Sequence, residues 1–335
     1  MSTFFSKSSL SEKYLPLFCC AVVVINPLQY SFAQSLPNFP NRSVRFVVPF
    51  AVGGALDIAA RLFATKLVDS LGQQVVVDNR PGAGGIMGAE IAAKSAPDGH
   101  TLMMASISHT VLPSIHKNLS YDIVKDFVPT SLLVTFPFLL LIHPTLPVKS
   151  LKELITLAKT KPGQINYVSS GNGSTAHLNA ELFKNLTGIN VVHLPYKGTG
   201  PALIGFLAGE ASLGFYSVSA TLNHIKAGRL RALATTGAKR SASLPDLPTA
   251  IEAGVPDFVT GSWAGMLTPT GTPKLVSQRL HRDLMGILLL ADVKDRLAKI
   301  DFEIVGSTSE EFSALIKSEV TRWSNVVKAS GANFN

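Results

Sequence analysis

Three stretches of the chain set glycines and hydroxyl side chains between an apolar run and a helix-forming pattern, which is how a backbone builds a cradle for an anion. The first is Val47-Val48-Pro49-Phe50-Ala51-Val52-Gly53-Gly54-Ala55-Leu56-Asp57. Glycine lets the backbone approach a ligand closely, and the first amides of a helix have no internal partner and sit at the positive end of its dipole. Val52, Gly53 and Gly54 are therefore assigned to ligand contact, and Gly53→Val is expected to block the approach. Asp57 has two readings: a cap for the helix that follows, or a group that also orients a water or a ligand hydroxyl.

The second stretch, Asn166 to Leu178, carries Ser169-Ser170-Gly171-Asn172-Gly173-Ser174-Thr175-Ala176-His177. Ser169, Gly171, Ser174 and Thr175 offer hydroxyls and amides that suit a carboxylate. His177, with Glu181 one turn later, could be a metal ligand or a base, but a metal needs a third ligand that no spacing supplies. A neutral imidazole that donates a hydrogen bond to pin the loop is the preferred reading, and no metal is expected. In the third stretch, His193-Leu194-Pro195-Tyr196-Lys197-Gly198-Thr199-Gly200-Pro201, the proline at an early helical position marks another helix start. Tyr196, Lys197 and Gly198 are candidates for an anionic ligand; the plainer alternative is an aromatic wedge beside a solvated lysine. Ser106, in Ser106-Ile107-Ser108-His109, either lines a cleft or belongs to an ordinary polar loop.

Enzyme signatures are largely missing: there is no Gly-x-Ser-x-Gly, His-Glu-x-x-His or phosphate-loop motif. Gly82-Ala83-Gly84-Gly85-Ile86-Met87-Gly88 resembles a dinucleotide fingerprint, but Met87 stands where the third glycine belongs, and Asp78-Asn79-Arg80-Pro81 is read as separating it from a strand. A tight turn with close helix packing is expected, without a cofactor. A hydrolase or isomerase using Asp57 or His177 as base is the competing class; it requires a perturbed titration and turnover.

The elements that must position these residues alternate. Strands are expected at 44–50, 74–78, 101–105, 138–143, 165–169, 190–194, 212–216, 231–235 and 263–267. Helices are expected at 57–71, after the glycine loop to Lys94, and at the C-terminus, where Phe312, Ile316, Val320 and Trp323 share one side. Strand-helix alternation predicts an α/β protein with parallel sheets. With 335 residues, 46% of them hydrophobic, two packed lobes are expected, sharing the chain discontinuously: 34–135 with 258–335, and 136–257.

Residues 1–33 read as a secretory signal, with Lys7 and Lys13 before a mostly apolar run and Ser31-Phe32-Ala33 at its end. The run contains Pro16 and Pro27 and is short of the roughly 20 apolar residues that span a bilayer. Both cysteines, Cys19 and Cys20, lie inside it, so residues 34–335 carry no thiol for catalysis, disulfides or metal, which suits a bacterial periplasm. The net charge of +8 is scattered, and without a basic stripe nucleic acid is excluded as a partner.

Taken together, these segments resemble the Bug family, the periplasmic solute-binding proteins of tripartite tricarboxylate transporters. The resemblance runs from about Phe39 to about Gly331. It is carried by Phe39-Pro40-Asn41-Arg42, Val75 to Gly85, Ala96 to Leu102, Tyr121-Asp122 with Lys125-Asp126-Phe127, Ser169 to Ser174, Pro195 to Gly198, His224 to Ala234, Leu244 to Thr249, and Trp263-Ala264-Gly265. It implies a type II periplasmic-binding-protein fold, two α/β lobes with a ligand cleft between them, and a small carboxylated organic acid held through backbone amides and ordered water. The implied partners are membrane permease subunits or, alternatively, a sensor kinase; a monomer is expected. Two departures bear on the cleft: Val52 replaces a proline common before the glycine pair, and Tyr216 occupies a position often held by smaller or acidic residues.

Overall fold

The computed structural model describes residues 39–116 and 118–330. The expected signal at 1–33 lies outside them. Strand β1 (Val44–Val48) leads into α1 (Ala55–Leu71), followed by β2 (Val75–Asn79), a short 3-10 turn (Ala83–Gly85), α2 (Ile86–Ala93), β3 (Thr101–Ala105) and α3 (Ser108–Ile115). The long β4 (Phe127–Ile142) comes next, then α4 (Leu151–Thr160), β5 (Asn166–Ser169), α5 (Thr175–Thr187), β6 (Val192–Pro195), α6 (Thr199–Leu207), β7 (Leu213–Ser217), α7 (Val218–Lys226) and β8 (Arg231–Thr235). The chain returns through β9 (Gly261–Pro269), α8 (Lys274–Leu289), α9 (Ala291–Ala298), β10 (Glu303–Ile304) and α10 (Ser309–Ser330).

Pairing is parallel in the groups β2-β1-β3 and β6-β5-β7 and antiparallel at β4 and β9, the strands that connect them. On one side β1 lies between β2 and β3, and on the other β5 lies between β6 and β7. Between them β4 pairs antiparallel with β9 along 127–137, then with β7 and β8 along 138–142. One strand thus serves both halves. The sequence reading found only its second part, because Pro129 and Pro137 argue against a central strand. The ladder tolerates both: the register shifts just after Pro129, and Pro137 sits where β4 exchanges one partner for another.

The second crossing is tied to the first by Thr236. Its amide donates to Phe138 O (2.8 Å), its hydroxyl donates to Thr260 O (2.7 Å), and the Phe138 amide donates to Thr236 Oγ1 (2.9 Å). A core containing Phe46, Phe63, Leu67, Tyr167, Phe183 and Phe215 runs through both halves.

Helix α1 illustrates how sequence fixes position. Leu56, Ala59, Ala60, Phe63, Leu67 and Leu71 recur at helical spacing and are buried. Gly72 stops the helix in a left-handed conformation (φ 67°) and donates to Val68 O at 2.9 Å. Strand β2 runs one residue further than expected, to Asn79, and Arg80 and Pro81 still separate it from the glycine stretch 82–88. Those glycines permit close packing as expected, since a Cβ on Gly88 would fall 2.6 Å from Pro49 Cα.

Candidate functional site

Five helices begin around one cavity. Gly54, Ala55 and Leu56 bring the start of α1 to it, Ser108 that of α3, Thr175 and Ala176 that of α5, Thr199 that of α6, and Ser217 the residue preceding α7. The geometry follows from the fold: strands β1, β3, β5, β6 and β7 all end on this side, and each leads within about six residues into a helix whose first amides have no intrahelical acceptor. The cavity encloses about 60 Å³. On that measure a water occupies roughly 10–15 Å³, so several waters or a small ligand fit.

Its lining combines two chemistries. Ser108, Ser170, Thr175, Thr199, Ser217 and Ser262 are hydroxyl-bearing residues, Phe50, Phe136, Phe138 and Phe215 bring rings, and Ser106 and Tyr216 also belong to the lining. No carboxylate, imidazole, ammonium or guanidinium lines it. The favourable potential for an anion therefore comes from helix ends and hydroxyl donors. Two hydroxyls stand out: Ser106 Oγ and Tyr216 OH are buried without a hydrogen-bond partner, and their residues are only 2% and 3% exposed. Burial pushes the Tyr216 phenol well above its usual range, which keeps it protonated.

The two halves touch over the cavity. Ser108 Oγ lies 3.3 Å from Thr175 Oγ1. Cβ atoms placed on Gly84 and Gly198 would stand 2.6 Å from Asn172 O and 2.6 Å from Ala51 Cβ respectively. The glycines of the cradle loops thus let the halves approach each other.

The residues singled out from sequence divide accordingly. Gly54, Ser106, Thr175 and Tyr216 line the cavity. Ser106-Ile107-Ser108-His109 is not a loop but the approach to α3. Val52 is 58% exposed and Gly53 is exposed; the Gly53 amide donates to Asp57 Oδ2 at 3.0 Å, and a Cβ on Gly53 would meet open space. Neither Val52 nor Gly53 lines the cavity. Asp57 lies beside the cavity as a buried anchor: Arg61 binds both its oxygens at 3.0 Å and Asn79 Nδ2 donates to Oδ1 at 2.9 Å.

Ser169, Gly171, Ser174 and His177 form the scaffold of the second loop. Ser169 Oγ bonds His193 Nε2 (2.6 Å) and accepts from the Gly171 amide (3.1 Å), and Ser174 Oγ caps α5 through the His177 amide. His177 pins the loop by accepting: the Gly173 amide donates to its Nδ1 at 3.1 Å, where the sequence reading made it a donor. Burial holds this imidazole neutral, near pKa 4, against the pull of Glu181. Tyr196 donates to the Glu210 carboxylate, Lys197 is exposed, and Gly198 packs on Ala51. None of the three lines the cavity.

Phe50, Phe136, Phe138, Phe215, Ser170, Thr199, Ser217 and Ser262 were missed. A signal existed for Ser170, Thr199 and Ser217, each a hydroxyl between a strand and a helix start. The rings and Ser262 come from the end of the β1 segment and from β4, β7 and β9, whose convergence depends on the crossing of the chain. Among the described residues no group of three or more His, Cys, Asp or Glu is placed to hold a metal ion.

Two α/β halves sharing crossing strands, with a cavity at the helix starts between them, define the class of two-lobed periplasmic solute-binding proteins. The family described as the tripartite tricarboxylate transporter family receptor matches residues 59–332. Protein BugT of Bordetella pertussis is 38% identical over 302 residues, 90% of this chain and 93% of that protein. A structure of an R. palustris protein with adipate is 36% identical, with a TM-score of 0.85, covering 88% of this chain and 98% of that one. MatC of Rhodopseudomonas palustris, with bound malate, is 32% identical, with a TM-score of 0.82, covering 86% and 100%. The chain belongs to the tripartite tricarboxylate transporter receptor family, and its fold is the two-lobed α/β fold of periplasmic binding proteins.

Proposed function

We propose that this protein is a periplasmic solute-binding protein that captures a small carboxylated organic acid between its lobes and delivers it to the permease subunits of a tripartite tricarboxylate transporter. The observation that carries the proposal is the convergence of five helix starts and a ring of hydroxyls on a cavity with no acidic side chain. Hydrogen bonds to an ionised acceptor are roughly twice as strong as neutral ones. The adipate and malate held by two relatives belong to the same ligand chemistry.

The lobes in this proposal are 34–135 with 258–335, and 136–257. The partner change in β4 between Pro137 and Phe138 supports that division. Export through residues 1–33 fits the family's periplasmic relatives, and among the described residues no helix is long and apolar enough to cross a membrane. The protein acts by binding and closure: the lining holds no carboxylate or imidazole to serve as a base.

Calorimetry tests the proposal on protein unfolded and refolded to strip carried-over ligand, titrated with mono-, di- and tricarboxylates, sugars and amines. Binding of a carboxylate, recovered chemically unchanged, supports it. Binding of sugars or amines alone, or turnover of the acid, overturns it.

A further inference from the structure

An anion site made of amides is spoiled by any backbone oxygen that turns into it, because the oxygen carries the ligand's sign of charge. The second cradle loop ties its oxygens back through its own backbone. Ser169 O accepts from the Tyr196 amide (3.0 Å), Ser170 O from the Gly198 amide (3.2 Å) and Gly171 O from the Ser174 amide (3.1 Å). In the first loop a side chain does this: Asn79 Nδ2 donates to Phe50 O at 3.0 Å, and Phe50 lines the cavity.

The sheet sets the direction of that bond. Asn79 ends β2, on one side of β1; β3, β9, β4 and β7, which bring the other strand-borne lining residues of the shared sheet, all lie on the other side of β1. Phe50 O is therefore drawn away from them. The Asn79 amide has a single orientation that suits its neighbours, since Nδ2 also donates to Asp57 Oδ1 (2.9 Å) and Oδ1 accepts from Arg61 Nη2 (3.0 Å). Flipped, its oxygen would face a carbonyl and a carboxylate, and its NH2 a guanidinium. Asp57 in turn holds the Gly53 amide at 3.0 Å, so one side chain governs both ends of the loop that leads into α1. We propose, on the basis of the function proposed above, that Asn79 is a positioning residue for ligand binding: its amide turns Phe50 O out of the cradle and keeps the start of α1 receptive to an anion. Asn79 does not line the cavity and acts through the loop.

The test titrates stripped wild-type protein, Asn79→Asp, Asn79→Ala and Gly72→Ala with a panel of propanoate, lactate, malate, adipate and citrate. At neutral pH Asn79→Asp keeps the side-chain volume and the acceptor for Arg61 and removes only the donors. It and Asn79→Ala are each expected to lose at least about fivefold in affinity for the acids that wild type binds. Gly72→Ala, at the far end of α1, is expected to lose stability and bind normally. Nuclear magnetic resonance reads the bond itself, with isotope labels on phenylalanine carbonyls and alanine nitrogens. From residue 34 onward only Phe50-Ala51 and Phe63-Ala64 join the two labels. The Phe50 carbonyl signal should move upfield in both Asn79 variants and stay in place in Gly72→Ala, with Phe63 as internal reference. Melting curves show which variants fold, and either Asn79 variant alone carries the test. A displaced Phe50 signal with wild-type affinity overturns the inference and leaves the proposed function standing. So does a Phe50 signal that neither variant moves, or an affinity loss that Gly72→Ala matches. If wild type binds none of the acids, both fail together.

Discussion

His177 and His193 lie face to face, ring centroids 4.2 Å apart and 11° from parallel, and the Tyr167 ring stacks on His193 at 4.8 Å. The pair props the loop whose neighbouring residues Ser170 and Thr175 line the cavity: His193 bonds Ser169, and His177 accepts from Gly173. Burial holds each near pKa 4, and on His193 the neighbouring His177 adds to the effect. His109, fully buried behind the α3 start, is also held near 4 by burial.

Stability should therefore fall with acid earlier than carboxylate chemistry alone would dictate. These imidazoles have folded values below the unfolded one, so the unfolded chain binds more protons between them. Their stabilising effect is complete above about pH 6.5 and is lost as pH falls toward 4. For His109 alone the full difference is ~3 kcal/mol. Salt-bridged Asp78, whose burial is outweighed by Arg45 and Arg80 so that its folded value is lowered, loses its contribution only below the ordinary carboxylate range. Thermal melts should be level from about pH 7.5 to about 6.5 and decline from there to about 4.5; a flat or rising melting temperature below about pH 6.5 contradicts the assignment.

Asp57 should act on stability and on the cradle together. Its carboxylate joins the Gly53 amide, Asn79 and Arg61, and Asn79 in turn donates to Phe50 O at 3.0 Å. Asp57→Ala leaves that buried set without its acceptor, at a cost of about 2–4 kcal/mol. Urea unfolding measures the loss. An Asp57→Ala protein as stable as wild type would show that the cluster is incidental.

Much of this site could be read from sequence because local chemistry encodes it. A glycine or hydroxyl between a strand and a helix marks a helix start whatever surrounds it, so the starts of α1, α5 and α6 were visible. Those of α3 and α7 were not: Ser106 to His109 carries no glycine, and Ser217-Val218 follows β7 without a loop. The long strand β4 was hidden by Pro129 and Pro137, and with it Phe136 and Phe138, which reach the cavity only because one strand crosses between the halves. His177 was placed correctly as a loop anchor, but the direction of its bond depends on a Gly173 amide that spacing cannot orient.

Ligand affinity should depend little on salt. The groups proposed to receive the anion are helix starts and hydroxyl-bearing residues around the cavity, and no cation lines it. Screening acts on solvent-exposed charges, over about 10 Å at 0.1 M salt, and far less on buried ones. Calorimetry from about 0.02 to about 0.5 M sodium chloride should change affinity by less than about threefold. A tenfold loss would point to exposed cations such as Lys197 as the ligand's partners.

Closure should be separable from loop strain by comparing two glycines. Gly84 (φ +66°) and Gly72 (φ +67°) share a left-handed backbone, so alanine at either costs about 1–2 kcal/mol. Their surroundings differ: the Gly84 Cβ would stand 2.6 Å from Asn172 O in the opposite half, whereas the Gly72 Cβ would meet nothing. Opening the lobes relieves the first clash, so Gly84→Ala should fold, stay open, and bind the tightest acid of the panel at least about tenfold more weakly, because a ligand's affinity is reduced by the fraction of protein in the competent state. Gly72→Ala should lose similar stability and bind normally. Small-angle scattering with and without ligand reads the difference: Gly72→Ala and wild type contract on binding, and Gly84→Ala does not. Equal contraction in all three would mean that the loops bearing Gly84 and Asn172 do not limit how closely the lobes meet.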